Sequence, residues 1–170
     1  KTSYDLETIN VALKIYGHSF PTEDIAFDVN EHLFESLLSE NPIYLELASE
    51  LYPHISNLQQ REAIKTQIIE NLNAYYIQGK GFSFWKAGEH FDVTATRAAV
   101  HCYRQLQISL DSERTKEISQ WLQSSIVPKG YVQFFFPQST CLYTFFAQQT
   151  LDLLNTHDKK STKKITQFAS

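Results

Sequence analysis

Apolar residues recur along this chain at steps of three and four, the spacing that gathers side chains on one face of a helix. Residues 4–16 place Leu6, Ile9, Leu13 and Tyr16 on one stripe, with Gly17 as the stop. Residues 23–38 carry Ile25, Val29, Leu33 and Leu37 at four-residue steps, with Thr22 placed to cap them. The next helix runs over 42–52. Asn41 suits its N-cap, Pro42 suits the first helical position, where a missing N–H costs nothing, and Pro53 ends or kinks it. The run 58–76 sets Ile64, Ile68, Leu72 and Tyr75 on one face and charges and amides on the other, and Gly79 and Gly81 then break it. Helices follow over 93–107, 112–125 and 139–155, while strand-like alternation is confined to "YVQFFF" at 131–136. The pattern predicts an all-α fold.

The helices alternate in character. Those over 4–16, 42–52, 93–107 and 139–155 are apolar and carry alanine; those over 23–38, 58–76 and 112–125 have polar faces. "DLETINVALKIY" from Asp5 and "DVTATRAAVHCY" from Asp92 share the first Asp, an alanine seven positions on and the final Tyr. "TCLYTFFAQQTL" from Thr140 falls in the same register with one gap, which makes Ala12, Ala99 and Ala147 equivalent, with Ala48 as a fourth. Small residues at one register let helices approach closely. A period of about 50 residues predicts an array of antiparallel helical hairpins.

A glycine–aromatic loop ("GFSFW", 81–85) leads to Asp92, an inner helix with Thr and Ala, an outer helix bearing "WL" (Trp121, Leu122), and then a second such loop, "GYVQFFF" at 130–136. This series resembles the repeat of the α/α toroids, the fold shared by protein prenyltransferase β subunits and terpene cyclases of the squalene–hopene type. The resemblance is best over residues 81–154. It implies part of a barrel of alternating inner and outer helices around an apolar, aromatic-lined cavity that holds an isoprenoid. The chemistry does not come with it. Where the prenyltransferase zinc set has Asp-x-Cys, this chain reads "FDVTATR" with Thr94 in place of the cysteine, and the cyclase acid motif DxDD is absent.

Composition narrows the reading. The 170 residues carry a net charge of −4, which argues against a nucleic-acid partner, and no apolar run reaches the length of a membrane span. One helical domain is expected over 1–156. A polar tail follows over 157–170, where Lys159, Lys160, Lys163 and Lys164 form a solvated end. Cys102 and Cys141 lie in apolar runs and read as reduced core thiols, which points to the cytoplasm.

His90, Asp92, His101 and Cys102 are all donors that zinc accepts. A continuous helix over 93–103 holds the last two roughly 13–15 Å from Asp92, so the four do not converge on one ion. Asp92 reads instead as an N-cap, and no metal or cofactor is assigned. The aromatics Phe82, Phe84, Trp85, Phe134, Phe135 and Phe136 either plug the end of the array or line the mouth of an apolar cavity, with Tyr143 and Arg97 as polar orienters. The candidate ligand set is Phe84, Trp85, Arg97, Phe134, Phe135 and Tyr143. Arg97 stands among small residues, where it either meets an anionic ligand or pairs with an acid such as Glu89.

Two functions follow as expectations. One is a binding or interaction module with an aromatic-rich apolar face for an isoprenoid or other apolar molecule. The other is an isoprenoid-handling enzyme, or a piece of one. The helix over 139–155 carries Leu142, Phe145, Phe146, Leu151 and Leu154 around much of its girth. It is therefore expected to be sandwiched within the domain or to meet a second copy or partner domain.

Overall fold

The computed structural model describes residues 37–38, 41–55, 57–86, 88, 91–125 and 141–156, and Asn41 opens the helix that follows it. The predicted helix 4–16, Ala12, the segment "YVQFFF" and the tail 157–170 lie outside the described residues, as does 23–38 apart from the helical, buried Leu37 and Leu38. The described part is mostly helical. Helix α1 spans Pro42–Leu51, and the Asn41 side chain accepts the Ile43 N–H at 3.0 Å. Pro53 ends it as expected, in a 3₁₀ turn over Tyr52–His54. Arg61 braces that turn from outside by donating Nε to the Ile55 carbonyl at 2.9 Å.

Helix α2 spans Leu58–Tyr75 behind the N-cap Asn57, and it buries the four residues of its predicted stripe, Ile64, Ile68, Leu72 and Tyr75. A short hairpin that periodicity did not disclose follows: β1, Tyr76–Ile77, pairs antiparallel with β2, Gly81–Phe82. Two residues per strand are too few to alternate visibly. Gly79 supplies the left-handed turn at φ 77°.

Helix α3, Val93–Gln105, starts at Asp92, whose carboxylate accepts the N–H groups of Thr94 and Ala95 at 2.6 and 3.2 Å. Helix α4 spans Ser112–Ser125, with Asp111 accepting the Arg114 N–H at 2.8 Å; helix α5 spans Cys141–Leu153. The most extensive contacts are those of α3 with α1 and with α5, so α3 lies between them, while α2 packs on α1 and α4 on β2 and α5.

Ala48, Ala99 and Ala147, the described alanines of the repeat register, are all fully buried. The ends of α3 and α5 are alike in one further way. Gln107 and Asn155 each follow their alanine by eight positions, and each takes a left-handed conformation at φ 55° and 54°. At both ends the next N–H returns to the helix: Ile108 donates to the Tyr103 carbonyl at 2.9 Å and Thr156 to that of Leu151 at 3.1 Å. Neither left-handed residue is glycine, so the stop signal was invisible in composition.

Candidate functional site

The aromatic loop is built first as a fastening. Phe82 is fully buried, and its N–H donates to the Thr96 hydroxyl at 2.9 Å while that hydroxyl donates to the Asp92 carbonyl at 2.7 Å. The Asp92 N–H returns to the Phe82 carbonyl at 2.9 Å, and Ser83 bridges to Phe91. Gly81 is required by this arrangement, because a Cβ there would stand 2.6 Å from Thr96 Oγ1 and 3.1 Å from the Trp121 ring. The Tyr76–Phe82 and Phe91–Trp121 rings meet edge-on at 5.2 and 4.9 Å. Phe82 is thus part of the core. Phe84 is half-buried against the core, whereas Trp85 next to it, ring to ring at 6.0 Å, is 65% exposed.

The main polar cluster lies where α1, α3 and α5 meet. Arg97 donates Nη1 to Glu46 Oε1 at 2.8 Å and Nη2 to Oε2 at 2.6 Å, and its guanidinium carbon sits 5.0 Å from the Phe146 ring centre. His101, one turn further along α3, brings Nδ1 to 3.0 Å from Glu46 Oε1. Burial pushes the Glu46 carboxyl up, but His101 and Arg97 outweigh it and hold it below its ordinary value. Behind this cluster Cys102 is a free, fully buried thiol raised chiefly by burial, with Ser49 beside it.

Sequence reasoning picked out Arg97 and missed its partner. The acid that neutralises it is Glu46, far away in sequence; Glu89 lies outside the described residues, together with His90, Phe134 and Phe135. Glu46 does interrupt an apolar stretch of α1, and that was the available signal. Tyr143 is half-buried against the core, and Arg97 meets Phe146 on the same helix. His101 and Asp92 do not converge, since Asp92 is the cap of α3.

A second polar group lines an open groove of about 380 Å³ between the hairpin and α4. Glu117 accepts the Tyr76 hydroxyl and the Gly79 N–H, and Arg114 stacks 4.5 Å from the Tyr76 ring centre while donating to Asn73 at 2.6 Å. Burial and Glu117 together push the Tyr76 phenol up. Each of these groups has a partner within the fold, which makes this a tie between the hairpin and α4.

Helix α5 turns Ala147, Thr150 and Leu151 inward and leaves Leu142 and Phe145 each 55% exposed. It is therefore not enclosed on all sides by the described residues. On α1 the half-exposed Ile43 and Tyr44 lie at the same end as Glu46. Among the described residues no helix is long and apolar enough to cross a membrane. No family model, no curated protein and no solved structure matches this chain.

Proposed function

We propose that the chain is a non-catalytic binding module, an arc of helical hairpins of the α/α-toroid kind whose inner row of α1, α3 and α5 presents an apolar ligand face. The placement of α3 between α1 and α5 supports the arc, as do the outlying α2 and α4 and the burial of Ala48, Ala99 and Ala147 in one register. The ligand face is the stripe of Leu142 and Phe145 beside the Phe146–Arg97 stack, with Ile43 and Tyr44 towards α1. The ligand class is an isoprenoid or similar apolar chain.

One observation carries the choice of a module over an enzyme. Arg97, the cation that would receive a diphosphate, already spends both terminal nitrogens on both oxygens of Glu46. An anion arriving there has to displace a mostly buried carboxylate and leave it with His101 alone, which costs several kcal/mol. Affinity therefore comes from the apolar chain.

Thermal denaturation with a prenol and with the prenyl diphosphate of equal length tests this. Both should stabilise the protein alike, by about 2.7 kcal/mol at a hundredfold excess over Kd, or roughly 5–10 °C for a domain of this size. A tenfold preference for the diphosphate, or its turnover, transfers the chain to the enzyme class. No shift with either compound overturns the reading. Self-association through helix 139–155 is the competing use of the same stripe, and sedimentation with and without ligand separates the two.

A further inference from the structure

We infer that Glu46, Glu50 and His101 form a binding site for a divalent first-row transition ion of the zinc class. Each residue offers one ligand atom, and the three atoms lie within 4.8 Å of one another. Ligands about 2.0–2.2 Å from a zinc ion stand roughly 3–4 Å apart, so a small side-chain adjustment closes the set. The two glutamates are one helical turn apart on α1, and the imidazole comes from α3, so helices that already pack together supply all three.

The state of the imidazole is the second observation. His101 Nδ1 is sealed from solvent and only 3.0 Å from Glu46 Oε1, yet it is out of line for a hydrogen bond. That misaligned contact with the carboxylate satisfies the nitrogen only in part, and an ion held between it and the carboxylates satisfies it in full. The far nitrogen, Nε2, lies 3.3 Å from the amide nitrogen of Gln105. Ligation through Nδ1 uses the tautomer that carries its proton on Nε2, for which the Gln105 amide has to turn its oxygen to the ring.

Arg97 does not block the site. A carboxylate has about four lone-pair positions on its two oxygens, and the guanidinium takes two of them. The pair holds Glu46 in one orientation, as hydrogen bonds to ligating carboxylates do elsewhere. One imidazole and two carboxylates suit zinc, cobalt or nickel better than calcium or magnesium, which prefer oxygen alone. Three protein ligands leave a tetrahedral ion one position for water or a ligand atom. The site is separate from Asp92 and Thr94, where the toroid resemblance would put zinc, and it does not depend on the apolar ligand face.

The test uses the whole chain, stripped with a chelator and titrated with zinc chloride by calorimetry, then with cobalt chloride by absorption spectroscopy. One zinc per chain and cobalt d–d bands of a low-coordinate site are expected. Glu50→Gln and His101→Gln should each weaken zinc at least about tenfold and alter the cobalt bands, with helical circular dichroism retained. Glu113→Gln, on exposed α4 surface, should change neither. If wild type takes up no zinc at micromolar concentration, or if both site variants bind as wild type does, the assignment is wrong. Should one variant lose its fold, the other decides the matter.

Discussion

Arg97 closes two nitrogens onto two oxygens of Glu46 from the neighbouring helix, at 2.8 and 2.6 Å, across 51 residues of sequence. Both side chains are largely shielded, at 19% and 11% exposure, so each depends on the other for charge compensation. Arg97→Met leaves a buried carboxylate with His101 alone and should cost about 3 kcal/mol in urea denaturation. Glu46→Leu with Arg97→Met should recover much of that loss, because no uncompensated charge remains. A double-mutant cycle with no coupling would show that the pair contributes nothing specific.

Acid should act through Glu46. Its folded carboxyl titrates below the ordinary value of 4.5, so its contribution is complete above about 4.5 and is lost as pH falls through the lower native value. Glu117, held down by the Tyr76 hydroxyl and the Gly79 N–H, acts in the same direction and the same window. The stability gap between wild type and Glu46→Gln should therefore narrow on acidification from about pH 7 to about pH 3. A gap that stays constant over that range would mean that folding does not shift the Glu46 carboxyl.

Gly81→Ala tests the fastening of the aromatic loop. The new methyl meets Thr96 Oγ1 at 2.6 Å, and that hydroxyl is buried and engaged on both sides, so it has nowhere to retreat. Overpacking of this kind costs about 1–3 kcal/mol. A loss below about 0.5 kcal/mol would show that the hairpin shifts freely over α3.

Cys102 should be inert in the native protein. It is fully buried, its thiol is raised by burial, and thiolate is the reactive form. Peptide mapping after alkylation should find Cys102 modified in denaturant and protected without it. Rapid native labelling would place the α1–α3 seam in contact with solvent.

Phe145→Ser should separate binding from folding. With the ring 55% exposed, the substitution should change stability by no more than about 0.5 kcal/mol. The same variant should lose most of the thermal shift produced by a prenol. An undiminished shift would place the ligand elsewhere.

What the sequence determines here is local. The stripe Ile64, Ile68, Leu72 and Tyr75 faces inward because a period near 3.6 leaves a helix one apolar side, whatever it packs against. Asn41, Pro42, Pro53 and Asp92 mark helix ends because each satisfies or denies a backbone hydrogen bond within its own few residues. The burial of Ala48, Ala99 and Ala147 was legible for the same reason, since close helix approach demands a small side chain. Tertiary structure decided the rest. Phe145 and Phe146 are neighbours of one kind, yet one is exposed and the other lies under Arg97, because only the position of α3 distinguishes them. Glu46, His101 and Arg97 meet across two helices, and periodicity states which face a helix buries without stating which face of which neighbour it meets.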